Sequence, residues 1–208
     1  NHSLTENVNF YLNLSQNDSD TEDVNFSYSL LDGNDFDQFS LNQDSGIINF
    51  TPIDEDVGTH QVRITATDGK TPSTLDFNFT VYNVNDNVSF FQSQATNASI
   101  NSTISNITAQ EDNRTVLFFQ IRDGDLNITQ TDFYSESFTI NTTLIGPNTT
   151  LFQFGSGQEV ILDRYQWSAT FTPGKNDVGN YTLVVNVTDR ANSSIQRSFN
   201  LTIIATLH

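Results

Sequence analysis

The sequence repeats itself, and this repeat is the feature that most limits the fold. F-T-P occurs at 50–52 and again at 171–173, and D-V-G follows at 56–58 and 177–179 with the same separation. Self-similarity over a long period indicates duplicated structural units. We therefore expect two homologous domains, with extra residues in the second copy between about 126 and 160.

Both copies have the period of a β-strand. H-Q-V-R-I-T-A-T-D at 60–68 and Y-T-L-V-V-N-V-T-D at 181–189 alternate apolar and polar residues, and no helical period is sustained. The pattern predicts an all-β fold of two tandem Greek-key β-sandwiches. We expect the first domain at 1–84, a linker or the start of the second domain at 85–99, and the second domain at 100–208.

The composition excludes several classes of partner and site. Twenty-five Asp and Glu outnumber eight Lys and Arg, so the net charge of −17 disfavours nucleic acid and anionic membranes as partners. An acidic surface favours calcium, but it also simply keeps proteins soluble. Because the chain has no cysteine, disulfides, thiolate metal sites and a cysteine nucleophile are excluded. No apolar run reaches the ~20 residues of a membrane span, so we expect no direct membrane insertion.

Most asparagines occur in Asn-X-Ser/Thr, far more often than the Ser and Thr content predicts. In a strand this triplet points its middle residue inward and its asparagine outward, as in N-F-T at 78–80. We therefore predict an extracellular or cell-surface protein that carries N-linked glycans. The candidate acceptors are Asn13, Asn25, Asn49, Asn78, Asn97, Asn101, Asn106, Asn113, Asn127, Asn141, Asn148, Asn180, Asn186, Asn192 and Asn200.

Acidic and amide side chains follow or precede the predicted strands in three groups. In a Greek-key sandwich, the first group lies at one end of the first domain, and it consists of Asp18, Asp20 and Asp68. The second lies at the opposite end, and it consists of Glu6, Asn85, Asp86 and Asn87. By the repeat, the third lies at the start of the second domain, and it consists of Asp123, Asp125 and Asp189. Because clustered carboxylates repel one another, a calcium ion between the last two groups would stabilise the interdomain junction.

These motifs resemble tandem cadherin-like domains, of the divergent kind found in microbial surface proteins and dystroglycan-type modules. The resemblance is carried by V-N-D-N at 84–87, D-S-D at 18–20, D-G-D at 123–125, A-T-D-G at 66–69 and V-T-D-R at 187–190, with Glu6 and Glu111. It implies interdomain calcium held by Glu6, Asp86, Asn87, Asp123, Asp125 and Asp189, with Asn85 contributing an oxygen. The sequence departs from the family at Asn83, where Asp is usual, and it has no D-R-E tripeptide.

No motif of a known catalytic site is present, so we expect no enzymatic activity. His60 occupies an ordinary strand position. Tyr165 and Trp167 could stack on a sugar, but their alternation with Ala169 and Phe171 favours the core.

The sequence therefore predicts a glycosylated structural protein, a subunit of a surface layer, stalk or filament that associates with identical or similar subunits. The apolar stretches 9–14 and 201–207 could pair with another chain, or serve as strands of their own domains. The alternative function is an adhesion or carbohydrate-binding module of a cell-surface protein.

Overall fold

A computed structural model describes residues 1–15, 25–31, 36–96, 106–128, 135–155, 158–161 and 164–207. The chain forms two compact units. Unit 1 comprises Asn1–Asn85 and Asn127–Ser135, and unit 2 comprises Asp86–Leu126 and Glu136–His208.

Within its described residues, unit 1 has six strands in two sheets. The strands are β1 His2–Thr5, β2 Phe10–Asn13, β3 Asn25–Leu30, β4 Ile47–Phe50, β5 Gly58–Thr67 and β6 Ser73–Tyr82. One sheet has the order β1-β6-β5-β3, in which β1 runs parallel to β6 and the other pairs are antiparallel. The second sheet pairs β2 with β4.

In the part of unit 2 that the structure describes, eight strands form two sheets of four. The strands are β7 Ser89–Thr96, β8 Asn106–Gln110, β9 Thr115–Arg122, β10 Thr139–Ile145, β11 Gln158–Ile161, β12 Arg164–Phe171, β13 Gly179–Thr188 and β14 Ser194–Ile204. The sheet orders are β10-β13-β14-β8 and β11-β12-β9-β7. β8 runs parallel to β14, as β1 does to β6. The stretch 85–99 contains β7, and β8 is an edge strand of its sheet.

The strands form because apolar side chains alternate with polar ones, so that one face of each sheet is buried in the core. In β13, Tyr181, Leu183, Val185 and Val187 are buried, and the residues between them are not. The glycosylation triplets follow the same rule, since Phe79 is fully buried between Asn78 and Thr80. The all-β sandwich fold predicted from the sequence is confirmed.

Each unit has its own apolar core. In unit 1, rings of Phe10, Phe36, Phe39 and Phe50 surround Phe79 with centroid separations of 5.7, 5.8, 5.8 and 6.3 Å. In unit 2 the core fills the space between the two sheets. It includes Phe119, Ile121, Trp167, Leu183, Val185, Val187 and Leu201.

The two units repeat one another down to single hydrogen bonds. The backbone N–H of Asn7 donates to the Pro52 carbonyl, and that of Asp112 donates to the Pro173 carbonyl, both at 2.8 Å. Asn7 and Asp112 also share a left-handed backbone, with φ of 61° and 65°. Asn and Asp tolerate this conformation better than other residues that carry a Cβ.

The extra residues of the second copy serve both units. They supply all of β10 and most of β11 to unit 2. The segment 127–135 belongs to unit 1, whose buried core includes Ile128. This exchange has no counterpart in the first repeat.

The two apolar stretches considered for strand donation pair within their own units. Residues 10–13 form β2 on β4, and residues 201–204 lie in β14, between β13 and β8. Among the described residues, no helix is long and apolar enough to cross a membrane.

Candidate metal centre

A short turn after β9 places two carboxylates together in unit 2. Asp123 directly follows the strand, and Asp125 lies in the 3-10 turn Gly124–Asn127. The backbone N–H of Asp125 donates to Asp123 Oδ1 at 3.1 Å, which closes the turn. Both side chains are 2% exposed. The D-G-D motif therefore forms a compact, buried acidic pair.

Glu136 is the third carboxylate of this centre. One carboxylate oxygen from each of Asp123, Asp125 and Glu136 lies within 4.8 Å of the others. Glu136 Oε1 accepts hydrogen bonds from the backbone N–H of Ser137 and of Arg190, at 2.7 and 2.9 Å. These bonds fix the carboxylate beside the turn, and we call the three residues the acidic centre.

Sequence reasoning missed Glu136. It lies in the insertion of the second repeat, so it has no counterpart in the first. Neither its spacing nor its neighbours distinguish it from Asp132 in the same insertion.

Asp86 adjoins the acidic centre through a hydrogen bond, and Asp189 lies close enough for its charge to act on Asp123. The backbone N–H of Asp86 donates to Asp125 Oδ2 at 3.2 Å. Asp189, which directly follows β13 and is 5% exposed, accepts the backbone N–H of Ser193 at 2.7 Å. The Ser193 hydroxyl donates to Asn87 Oδ1 at 2.9 Å. The structure therefore brings Asp86 and Asp189 close to the D-G-D turn, and Ser193 links Asn87 to Asp189.

Burial and like charges act on Asp123 in the same direction. Burial, together with the negative charges of Asp125, Glu136 and Asp189, raises the pKa of Asp123 to about 7. Its Oδ2 atom is buried and accepts no hydrogen bond from any described residue. A buried carboxylate oxygen without a partner is costly unless something else satisfies it.

The geometry and donor chemistry fit a hard divalent cation. Calcium binds oxygens at 2.3–2.6 Å, so two of its ligands lie no more than about 5 Å apart. The three oxygens satisfy this limit. All are carboxylates, which favours calcium, magnesium or manganese over zinc or copper.

Glu6 and Asn85, the other predicted junction ligands, belong to unit 1. Glu6 is fully buried, and its Oε1 accepts the backbone N–H of Val84 at 2.6 Å. Its counterpart Glu111 accepts the backbone N–H of Thr206 at 3.0 Å. Both glutamates thus anchor the chain that leaves the last strand of a repeat, a role that sequence reasoning missed. That Glu6 and Asn85 share an ion with residues of unit 2 stays a prediction.

The predicted group at the opposite end of the first domain from Glu6 lies largely outside the described residues. Asp18 and Asp20 fall in the gap at 16–24. Asp68 Oδ1 accepts the backbone N–H of Lys70 at 2.9 Å, so it closes the turn after β5. A cation site at Asp18, Asp20 and Asp68 stays a prediction.

The candidate glycosylation sites are accessible wherever their side chains are described. Nine are exposed, namely Asn25, Asn49, Asn78, Asn106, Asn113, Asn141, Asn180, Asn192 and Asn200, and three are half-buried, namely Asn13, Asn148 and Asn186. The side chains of Asn97, Asn101 and Asn127 lie outside the described part of the chain. That these asparagines carry glycans stays a prediction.

Trp167, one of the two candidates for sugar stacking, and the strand residue His60 are both buried. Trp167 is 3% exposed and stacks on Phe119 with ring centroids 5.5 Å apart, so it is not a sugar-binding platform. His60 is fully buried in β5, where its Nε2 lies 2.7 Å from the Asp56 carbonyl oxygen and its ring stacks on Phe36. Tyr181 occupies the corresponding position of unit 2, and its hydroxyl donates to the Asp177 carbonyl.

Comparison with known proteins relates the chain to solved structures only. No family model matches, and no curated protein matches. Domains 3–6 of the protocadherin gamma B2 extracellular region align over 97% of this chain and 44% of theirs, at 17% identity and a TM-score of 0.46. The titin fragment A168–A169 aligns over 98% of this chain and 94% of its own, at 13% identity and a TM-score of 0.43. An endo-fucoidan hydrolase of glycoside hydrolase family 107 aligns over 99% of this chain at 20% identity and a TM-score of 0.37, and the chain spans 28% of that enzyme.

Proposed function

We propose that the chain is an extracellular, N-glycosylated structural protein whose second unit is stabilised by calcium. Its role is that of a subunit or spacer in a surface layer, stalk or filament. The observation that carries the calcium proposal is the buried, unpartnered Oδ2 atom of Asp123 beside Asp125 and Glu136. The accessible asparagines of the glycosylation triplets support the extracellular assignment.

A calcium ion here would cross-link separate segments of unit 2. Asp123 and Asp125 follow β9, Glu136 precedes β10, and Asp189 follows β13. The ion would supply the positive charge that offsets repulsion among these carboxylates. The protein side chains hold the ligand positions in advance, through the hydrogen bonds to Asp123, Glu136 and Asp189. Binding would therefore couple directly to the stability of unit 2.

Thermal unfolding with calcium and with a chelator tests this proposal. At a calcium concentration 100 times Kd, binding stabilises the folded state by about 2.7 kcal/mol, which shifts the Tm of a domain this size by roughly 10 °C. We expect this shift in the wild type and its loss in Asp123→Asn. The matched control is Asp112→Asn, since Asp112 is exposed and Asn also suits its positive φ. Identical melting of the wild type in calcium and in chelator would refute the calcium site.

Carbohydrate binding is the alternative function. The support for this alternative is weakened because Trp167, the aromatic residue best suited to stack on a sugar, lies in the core.

A further inference from the structure

The glycosylation triplets of unit 2 are divided unequally between its two sheets. Within the strands of the β10-β13-β14-β8 sheet, every asparagine begins a triplet, and these residues are Asn106, Asn141, Asn180, Asn186 and Asn200. The strands of the β11-β12-β9-β7 sheet contain no asparagine at all. Glycans on the first sheet would cover it and leave the second accessible.

The five asparagines share the outward side of their sheet. Asn141 pairs with Asn186, and Asn200 pairs with Asn106, whose Oδ1 accepts the Asn200 amide at 2.9 Å. Their strand neighbours Val185, Val187, Leu201 and Ile107 point into the core and are buried. One side of unit 2 is therefore lined with acceptor sites.

The opposite sheet has a different outward surface, which we call the asparagine-free face. Its described side chains are Val116, Phe118, Gln120 and Arg122 of β9, Arg164, Gln166, Ser168 and Thr170 of β12, and Phe91 of β7. Phe91 is 43% exposed, and the Arg164 guanidinium lies 3.7 Å from its ring centroid. Arg122 and Arg164 lie directly opposite each other in the register of β9 and β12. The face thus combines apolar and aromatic groups with two cations.

Charge is also divided unequally along the chain. Residues 1–85 contain 14 carboxylates against two basic residues, Arg63 and Lys70, and residues 86–208 contain 11 carboxylates against six basic residues. The first repeat is therefore the more acidic part of the chain. Two asparagine-free faces placed against each other would instead oppose their arginines.

From this complementarity we infer that the asparagine-free face of unit 2 docks the acidic first repeat of a second copy of this chain. The contact joins two different surfaces, so it repeats from copy to copy and builds an open assembly or a ring. Arginine and aromatic residues are enriched at protein interfaces, and an unglycosylated face is one that a partner can approach. The inference rests on the proposed structural function and assigns its assembly surface.

A pair of added glycans tests the inference, in full-length protein from a host that performs N-glycosylation. Ser168→Asn creates Asn-Ala-Thr on the asparagine-free face, and Gln196→Asn creates Asn-Arg-Ser on the opposite sheet. Ser168 and Gln196 are both exposed strand residues. Sedimentation velocity over a range of concentrations should show association of the wild type and of Gln196→Asn, and at least a tenfold weaker association of Ser168→Asn. Mass spectrometry establishes that each new site carries a glycan.

Charge reversal tests the same surface without any glycan. Arg164→Glu should abolish association, whereas Lys175→Glu, the same change at an exposed turn residue, should not. The Arg164→Glu variant keeps its acidic first repeat, so it should still bind to the asparagine-free face of a wild-type copy. Because its own asparagine-free face cannot bind a further copy, small amounts of the variant should stop growth and shorten wild-type assemblies. A wild type that stays monomeric, or a glycosylated Ser168→Asn that associates like the wild type, would overturn the inference. Calcium-dependent melting of the same variants reports separately on the proposed function.

Discussion

At the scale of single residues, Asp123 is the described carboxylate on which the calcium proposal depends. It is buried, its pKa is raised, and carboxylates from three other chain positions act on it. The repeat was sufficient to predict that Asp123 and Asp125 lie near Asp189, and that they bind an ion stays a prediction. Glu136 could not be predicted, because a residue of an insertion has no repeat partner and its approach to the turn depends on tertiary structure.

Asp123 should also give the calcium-free protein a distinctive pH dependence. Its pKa is about 7 when folded and about 3.9 when unfolded, so the stability it contributes is complete below pH ~4 and is lost as pH rises through 7. We expect the Tm in chelator to fall between pH 5 and pH 8 by more in the wild type than in Asp123→Asn. Differential scanning calorimetry at each pH measures the Tm of the wild type and of Asp123→Asn. If the two proteins had parallel pH profiles, the raised pKa would be wrong.

At the scale of elements, alternation in the sequence predicted the strands because each sheet has one dry face. The N-X-T triplets in β6, β13 and β14 follow it strictly, with Phe79, Val187 and Leu201 buried. The alternation could not reveal that segment 127–135 belongs to unit 1, because the unit against which a segment packs is set by tertiary contacts. Strand pairing across an insertion depends on contacts that a local pattern does not contain.

The central strand β6 supplies a test of the unit 1 core. Phe79→Ala removes a fully buried ring that contacts several other aromatic rings, and it should cost about 3–5 kcal/mol of unfolding free energy. Tyr82→Ala, a 52% exposed position on the same strand, should change it by no more than about 0.5 kcal/mol. Urea unfolding followed by fluorescence compares the two variants. Equal losses would contradict the described burial.

At the scale of the whole molecule, three asymmetries support one account of the chain. Acidic residues are concentrated in the first repeat, glycosylation triplets line one sheet of unit 2, and two arginines with Phe91 and Phe118 line the other. The sequence alone revealed the net charge and the triplets. It could not assign them to faces, because the side of a sheet depends on which strands pair.

The acidic centre is the most specific part of this account, and calcium titration by isothermal calorimetry tests it most directly. We expect the wild type to bind calcium in unit 2 with a Kd of about 10⁻⁴–10⁻³ M, the range of extracellular modules. Asp123→Asn should weaken binding at least tenfold, and Asp112→Asn should leave it unchanged. A wild type that releases no heat of binding at about 10 mM calcium, or an Asp123→Asn variant that binds as tightly as the wild type, would contradict the account.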